Sequence, residues 1–319
     1  MFRFTKGFNW KNSEAHLLLL SKFLNGQEID YFIKWGNWEQ ALTEAPQEAI
    51  KRFVDEGMLE IADLETIVSC KYKVSDLKSL LKQRGLAVSG TKDELVKRIL
   101  QADKAGMSKL TVGIKLLTCT QTGREIAQQY LDSEKEKRLE VEQQVIGYLA
   151  KRMFKEASLA VANYEAGQVF SRGMGVDWKH YNPNRDIQIL QYVYGNKPEI
   201  LNKLEDSKLD SLQLGAGMML LWGENKATEW IPRDLETGLS MDTAVAARML
   251  LFNAQSIATL KQFKEMGIKY VEVLGTPDSC ESCKKIAGKI YTLSEAPTLP
   301  NPNCTHEMGC RCVHLARTN

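Results

Sequence analysis

The sequence predicts a mainly α-helical fold with a minor β component. Its apolar residues recur mostly at the three- and four-residue spacing of a helix face, as in the stripe from Val145 to Phe170. Two shorter stretches, Gly113 to Thr120 and Ile268 to Leu274, have the composition of strands. The chain has 319 residues, 44% of them hydrophobic, which leaves room for two or three domains with separate cores.

Cysteine usage and the N-terminal sequence indicate a reducing compartment. The apolar run from Leu17 to Leu20 is too short to span a membrane and has no small-residue cleavage site behind it, so we expect no membrane partner. Of the seven cysteines, five fall between Cys280 and Cys312, and in a reducing cytosol such a cluster favours metal ligation over disulfides. Cys70 and Cys119 stand alone, and we expect both to be small core residues.

Residues 1–135 are predicted to form an N-terminal region in which a strand lies between helices. After a helical stretch around Ala15 to Leu24, a helix should begin near Pro46 and end at Gly57. Its predicted inner face consists of Ala49, Ile50, Phe53 and Val54. The phrases Glu56–Glu60 and Leu117–Ala127 are similar to the ends of winged-helix domains, in which a strand feeds a helix that begins near a Gly-Arg pair. This resemblance implies a winged-helix-like frame, with an unrelated helical domain as the alternative.

A helical hairpin is predicted within this region, from Lys71 to Leu100. Its first helix starts at a Ser75 cap and stops at Gly85, where a left-handed turn costs little. Its second helix begins at Thr91, which has the spacing to Glu94 of a capping box. The two helices should share one small core, made of Leu77, Leu80, Leu81, Leu95, Val96 and Ile99.

The hairpin carries most of the net charge of the chain. Residues 71–100 contain eight Lys or Arg against three acidic residues, whereas the whole chain has a net charge of +2. At residues 89–92, helix-start amides, small hydroxyls and a lysine converge in a combination that suits phosphate oxygens. The charge alone is explained equally well by a DNA-binding hairpin and by a solvated pair of helices with ordinary surface lysines. The predicted DNA contacts are Lys78, Lys82, Arg84, Ser89, Gly90, Thr91, Lys92, Lys97 and Arg98.

The order of these residues resembles a known DNA-binding family. Four phrases together resemble the SAP module, a helical hairpin that binds DNA, often AT-rich DNA. They are Leu77-Lys78, Arg84-Gly85-Leu86, Ser89 to Lys92, and Glu94 to Arg98. The resemblance covers residues 71–101, about a tenth of the chain. It implies that duplex DNA is a partner.

Residues 136–240 are predicted to form a helical middle region. The segment Leu131 to Gln144 is dense in Glu, Lys and Arg, and we interpret it as an exposed helical connector at a domain boundary. A later loop holds Asp177 and His180, a pairing that active sites also use. One isolated pair of this kind recurs by chance, so it does not predict catalysis.

Residues 241–319 are predicted to form a small metal-binding unit. Cys280 and Cys283 make one knuckle, and more donors follow about twenty residues later, which is the two-knuckle spacing of a tetrahedral zinc site. We expect one structural Zn²⁺, because Asp278 to Arg317 has too few apolar residues to close a core alone. Free cysteines or a redox pair are the alternatives. The sequence does not decide which four donors bind the ion. The candidate ligands are Cys280, Cys283, Cys304, His306, Cys310 and Cys312.

A second resemblance covers Thr243 to Leu315. Asp278 to Cys283, Gly288-Lys289, and Cys310 to Cys312 resemble the C-terminal region of phage head-morphogenesis proteins, the minor head proteins related to the F protein of phage Mu. The sequence departs from that pattern at Asn301, where a His is usual, and in a segment inserted before Cys310. The resemblance implies portal or capsid proteins as partners, and a location in the cytoplasm of a bacterial or phage-infected cell or in the virion.

Three functions are weighed from these features. The leading hypothesis is a non-enzymatic DNA-binding minor head protein of a phage or prophage, whose hairpin holds DNA phosphates and whose zinc-stapled C-terminus docks on the capsid or portal. The alternative is a host DNA-binding regulatory protein, which would need a bipartite site. A metal-dependent nuclease is the third hypothesis. Scattered histidines and the lack of paired carboxylates near the knuckles argue against it.

Overall fold

The computed structural model describes residues 9–34, 37–173, 175–223, 229–232, 235–239 and 241–317. Within these residues the fold is mainly α-helical with two small antiparallel sheets, which confirms the predicted class. The chain divides into two compact units, residues 1–137 and 138–319. None of the described helices combines the length and the hydropathy that a membrane crossing requires.

The first unit contains a hairpin within a frame of short helices and one sheet. Its helices are α1 (Glu14–Ser21), α2 (Ile29–Lys34), α3 (Asn37–Leu42), α4 (Pro46–Asp55), α5 (Leu64–Lys71), α6 (Val74–Gln83), α7 (Lys92–Leu110) and α8 (Gln121–Ala150), the last of which continues into the second unit. Its strands are β1 (Gln27–Glu28), β2 (Leu59–Ile61) and β3 (Leu116–Cys119). The strands pair antiparallel in the order β1-β3-β2. Since α5, α6 and α7 separate β2 from β3 in the chain, the hairpin is an insertion between two paired strands.

This insertion is the arrangement that the winged-helix-like interpretation requires, and that interpretation stays a prediction. In β2 and β3, Leu59 lies opposite Cys119. Gly123, in the first turn of α8, fits against β2 so closely that a Cβ atom there would lie 2.0 Å from the carbonyl oxygen of Met58. Only glycine can occupy this position without moving backbone. The close approach at this junction therefore requires a glycine at position 123.

The helix α4 forms as its sequence predicts, with one exception. Pro46 occupies its first turn, and Gly57 follows it with φ +71°. Ala49, Ile50 and Phe53 are buried, as the pattern requires. Val54, which we predicted on the same face, is 41% exposed. Each further residue turns the helix by about 100°, so Val54 falls at the margin of the stripe centred on Ala49 and Phe53.

The two isolated cysteines differ in their surroundings. Cys119 is buried in β3, as predicted. Cys70 is exposed, so the prediction of a core residue was wrong for it. It lies in the last turn of α5, and its Sγ donates to the carbonyl oxygen of Asn25 at 2.8 Å. The thiol therefore acts as a weak donor to a loop rather than as a packing group.

A buried ion-pair network in the first unit was not predicted. The carboxylate of Glu44 contacts His16 Nε2 at 2.7 Å and accepts two bonds from the Arg52 guanidinium, at 2.9 and 2.8 Å. Burial tends to raise the pKa of Glu44, but the hydrogen bonds from Arg52 and His16 outweigh it and hold the pKa below its usual range. The network connects α1 to α4, because the buried carboxylate of Glu44 pairs with a side chain from each helix.

The second unit is a helical core that carries the other sheet. Its helices after α8 are α9 (Phe154–Ala166), α10 (Asn184–Gly195), α11 (Asp206–Trp222), α12 (Thr243–Glu265) and α13 (Glu281–Lys284). Its strands are β4 (Tyr270–Leu274), β5 (Ile290–Thr292) and β6 (Val313–Arg317), in the antiparallel order β5-β4-β6. The stripe predicted from Val145 to Phe170 is divided between α8 and α9, because the chain turns at Arg152 with φ +57°.

The cysteine-rich segment packs into the core of this unit. Cys283, Cys310 and Cys312 are buried in one cluster with side chains of α10, α11 and α12, among them Met249 and Leu250. Asn253 of α12 also donates to the carbonyl oxygen of Leu299 at 2.9 Å. The segment has too few apolar residues to close a core alone, as predicted, and α12 supplies an apolar surface on which it packs.

We predict that Gly123→Ala destabilises the first unit by about 1–3 kcal/mol, because the new methyl group must displace the backbone at Met58. Gly147→Ala is the matched control on the same helix, since nothing lies within 4 Å of its Cβ position. That substitution should instead stabilise by up to about 1 kcal/mol. Urea denaturation followed by circular dichroism measures both effects, and equal stabilities for the two variants would contradict the close approach.

Candidate nucleic-acid interface and metal centre

The hairpin is held by a core that extends beyond its predicted ends. The predicted residues Leu77, Leu81, Leu95, Val96 and Ile99 are all buried, whereas Leu80 is partly exposed at the edge of the cluster. The cluster is completed by Val68 of α5 and by Met107 near the end of α7. The two helices of the hairpin are therefore fixed by contacts on both sides of the motif.

The start of α6 differs from the prediction. The helix begins at Val74, and the backbone N–H of Lys73 donates to the carboxylate of Asp76 at 2.9 Å. Ser75 lies inside the first turn, so its predicted role as a cap was wrong. An ionised carboxylate is a stronger acceptor than a hydroxyl for a helix-start amide. The end of α6 is as predicted, with Gly85 at φ +67°.

The start of α7 confirms the capping box. Thr91 N–H donates to Glu94 Oε2 at 2.8 Å, and Glu94 N–H donates to Thr91 Oγ1 at 3.4 Å. Gly90 has φ +123°, and a Cβ there would lie 2.5 Å from Glu94 Oε2. The amides of Lys92 and Asp93 lie between these bonds and have no acceptor within the helix. An anion at the start of α7 could accept from them.

Two arginines predicted as DNA contacts are engaged inside the hairpin. Arg84 donates to Asp103 Oδ2 at 2.9 and 2.7 Å and to the carbonyl oxygen of Leu80 at 3.0 Å. Arg98 donates to the carbonyl oxygens of Ala87 and Ser89, at 2.8 and 2.7 Å. The bonds of Arg84 connect the end of α6 to α7, and those of Arg98 hold the loop between the two helices. Both arginines therefore shape the surface, while their contact with DNA stays a prediction.

Asp103 is a structural residue of the hairpin that the sequence analysis missed. It breaks α7 with φ −150° and ψ 61°, and its carboxylate accepts from the Gly106 amide at 2.8 Å. The bonds from Arg84, together with this amide, lower the pKa of Asp103. The spacing of Asp103 and Gly106 is that of a second helix cap. It was obscured because the apolar pattern continues through the kink.

The lysines of the hairpin lie in two environments. Lys78, Lys82 and Lys97 are exposed, and within the described residues they have no ion-pair partner. Lys92 is half-buried beside a cavity of about 710 Å³ in the first unit. That cavity is lined by one other cation, Arg124, and by the acidic residues Asp63, Glu65 and Asp93. The charge of Lys92 is thus partly balanced, whereas the three exposed lysines carry charge that is open to solvent.

The five clustered cysteines of the second unit bring their sulfur atoms together. Sγ of Cys280 lies 3.8 Å from that of Cys304, and Sγ of Cys283 lies 3.9 Å from that of Cys310. Four thiolates bound to zinc at about 2.3 Å would form a tetrahedron with edges of about 3.8 Å. Two trios, Cys280 with Cys283 and Cys304, and Cys283 with Cys310 and Cys312, each have all sulfurs within 4.8 Å. The residues fit a thiolate metal site, with Cys283 common to both trios.

Asn301 supports these thiols. It is buried, its backbone N–H donates to Cys310 Sγ at 3.2 Å, and its side-chain amide donates to Cys283 Sγ at 3.6 Å. Its Oδ1 accepts from the Asn303 amide at 3.1 Å. Hydrogen bonds of this kind orient a metal ligand and stabilise its negative charge. The residue that replaces the expected His is therefore a donor to the thiols.

The histidines of this segment lie outside both trios. His306 Nδ1 accepts from the Met308 amide at 3.0 Å, and its Nε2 lies 3.0 Å from Arg311. Arg311 also pairs with Asp278 at 2.7 Å, which joins the two knuckles. His314 is buried, with Nε2 3.0 Å from the carbonyl oxygen of Pro297, and burial lowers its pKa. The geometry favours thiols over His306 as ligands.

The thiols of the cluster are close enough to shift one another's pKa. Although burial tends to raise the pKa of Cys280, backbone amides of Thr305 and Cys283 lower it to about 6. Burial and the charge of Cys310 raise the pKa of Cys283. The hydrogen bond with Cys310, followed by burial, raises the pKa of Cys312. Close sulfurs cannot all ionise without a cation, and a bound divalent metal would deprotonate its ligands.

Comparison with known proteins identifies the hairpin. Residues 71–104 match the SAP domain family. This part of the chain is a SAP domain. No curated protein and no solved structure matches the chain. The match extends the predicted range of 71–101 to include Asp103, the partner of Arg84, and it supports DNA binding as a function.

We predict that protein purified under reducing conditions carries about one zinc per chain. Cys283→Ser should lose most of that metal, because its sulfur belongs to both trios. Elemental analysis by mass spectrometry measures the metal content. Cys70→Ser is the matched control, since its exposed thiol lies in the first unit. A metal-free wild-type protein, or full zinc in Cys283→Ser, would count against the site.

Proposed function

We propose that this chain is a non-enzymatic DNA-tethering protein, whose SAP domain holds duplex DNA through backbone phosphates. The observation that carries this proposal is the SAP match at residues 71–104, with three exposed lysines on its helices. Lys78 and Lys82 are four residues apart on α6, so they lie on one face of that helix. Phosphate contacts give affinity without reading base sequence.

The start of α7 supplies the second part of the proposed interface. The free amides of Lys92 and Asp93 offer donors to one phosphate, and Lys97 follows on the exposed side of the same helix. Arg98 holds the preceding loop through its bonds to Ala87 and Ser89. The loop is therefore ordered before DNA arrives, and less conformational entropy is lost on binding.

The second unit is proposed to hold one structural zinc ion with thiolates of the cysteine cluster. Cys280, Cys283 and Cys304 would supply three ligands, and Cys310 or Cys312 the fourth. A closed shell of four thiolates stabilises local structure and leaves no position for substrate. The ion would join α13 to the loop before β6, two segments that the Asp278–Arg311 ion pair already connects.

We further propose that the protein acts as a minor head protein of a phage or prophage, with portal or capsid proteins as partners, in the bacterial cytoplasm and then in the virion. The support is the resemblance of the second unit to that family, because residues of the first and last matching stretches contact each other. Asp278 of the first phrase pairs with Arg311 of the last, and Cys283 lies beside Cys310. A DNA module on such a unit would raise the local concentration of DNA at the head.

The proposed absence of catalysis has its own support. His180 pairs with Asp177 at 2.9 Å, but both side chains are mostly exposed, at 83% and 65%. His16 is buried in its contact with Glu44. The first pair belongs to the second unit and the other to the first unit, and neither is part of the cysteine trios.

We predict that replacing Lys78, Lys82 and Lys97 with Gln weakens binding to all duplex sequences. Each lost phosphate contact should reduce the slope of log affinity against log salt by about 0.9. Fluorescence anisotropy across a salt series measures this slope. The control variant replaces Lys151, Lys155 and Lys179, three exposed lysines of the second unit, and should retain the wild-type slope. Equal slopes for wild type and the hairpin variant would refute the phosphate interface.

The tethering role is tested by the choice of DNA and by the fate of that DNA. We expect similar affinities for unrelated duplexes, with at most a preference for AT-rich DNA, and intact plasmid after incubation with Mg²⁺ or Mn²⁺. Competition binding and gel electrophoresis measure the two outcomes. A single strongly preferred bipartite site would favour the host regulator instead, and metal-dependent cleavage would favour the nuclease.

A further inference from the structure

The outer side of the sheet in the second unit exposes a set of large apolar side chains. Antiparallel pairing places Glu272 opposite both Ile290 and Leu315, and Leu274 opposite Val313. Directly paired residues point to the same side of a sheet, so these side chains share one face with Tyr270. Five of them are 39–60% exposed: Tyr270, Leu274, Ile290, Val313 and Leu315.

The opposite side of the same sheet is buried. Val271 and Val273 have no exposed surface, and His314, which lies opposite Val273, is 8% exposed. This side packs towards α12, whose Ser256 lies 3.2 Å from His314. The core of the unit is therefore complete without the outer side, and the apolar residues there are not needed to close it.

A groove rich in lysine adjoins the outer side at Tyr270. Its volume is about 630 Å³, and Tyr270, Leu260 and Leu293 provide its apolar surface. Three lysines line it: Lys261, Lys264 and Lys269. In the part of the chain that the structure describes, none of the three forms an ion pair. We call this groove and the outer side of the sheet the docking face.

We propose that the docking face binds an acidic, amphipathic segment of a protein partner. The exposed aliphatic side chains favour a protein over a nucleic acid, because phosphate and sugar would leave Ile290, Val313 and Leu315 without apolar contacts. The three lysines favour carboxylates on the partner, since complementary charge steers and orients association. The Glu272–Arg317 ion pair lies on the same side of the sheet and adds no net charge. This binding face would serve the docking role proposed above for the second unit, and only the identity of the partner rests on that proposed function.

The test uses the immobilised full-length protein and a displayed library of random peptides. We expect the enriched peptides to combine Asp or Glu with Leu, Ile or Phe. Replacing Lys261, Lys264 and Lys269 with Glu should weaken a selected peptide by about tenfold or more. Ile290→Asp should weaken it as well. The control variant carries Glu at three exposed lysines elsewhere in the unit, Lys151, Lys155 and Lys179, and should bind as wild type does.

Three results would overturn this proposal. The first is an enriched set without acidic residues, or one that binds the groove variant and wild type equally. The second is a dimer in light scattering that Ile290→Asp dissociates, which would make a second copy of the chain the occupant. The third is loss of duplex DNA binding in the groove variant, without selection of acidic peptides. Salt-dependent DNA binding and zinc content, measured on the same variants, test the proposed function separately.

Discussion

The convergence of five cysteine sulfurs, in two trios that share Cys283, is the main constraint on the end of the second unit. If they were ionised, sulfurs 3.8–3.9 Å apart would repel one another without a cation to balance their charge, whereas four thiolates around zinc form a stable tetrahedron. The sulfur atoms come from α13 and from the turns before β6, which are separated in the chain by a proline-containing loop. One ion would therefore fix the path of this loop and the edge strand that follows it.

The SAP domain is held by a different kind of interaction. Its core is apolar. Arg84 connects α6 to α7 through Asp103, and Arg98 holds the loop through the carbonyl oxygens of Ala87 and Ser89. The basic residues thus have two roles, since the arginines give shape and the exposed lysines give charge. A rigid hairpin with free ammonium groups suits DNA held without strong sequence preference. If the second unit docks on a protein as proposed, the hairpin would keep DNA near that assembly.

Local interactions were the part of this structure that the sequence could predict. The capping box of Thr91 and Glu94 and the left-handed turn at Gly85 depend on residues three or four apart, and both were confirmed. The clustering of cysteines was likewise visible in their spacing. The prediction of Ser75 as the cap was wrong because two acceptors, the Ser75 hydroxyl and the Asp76 carboxylate, are adjacent in sequence. The sequence does not say which of them the helix start uses.

Contacts between distant residues could not be predicted in this way. Arg84 forms an ion pair with Asp103, nineteen residues later, and Glu44 pairs with both His16 and Arg52. The strands β1 and β5 have two and three residues, too few to show an alternating pattern. The outer side of the second sheet depends on strand register, which no local pattern fixes.

The most direct measurement of the central claim is zinc K-edge X-ray absorption on the purified full-length protein. Four sulfur neighbours at about 2.3 Å are expected if the cysteine cluster alone holds one ion. Nitrogen or oxygen neighbours at about 2.0–2.2 Å, or protein that binds no zinc, would contradict a thiolate-closed unit.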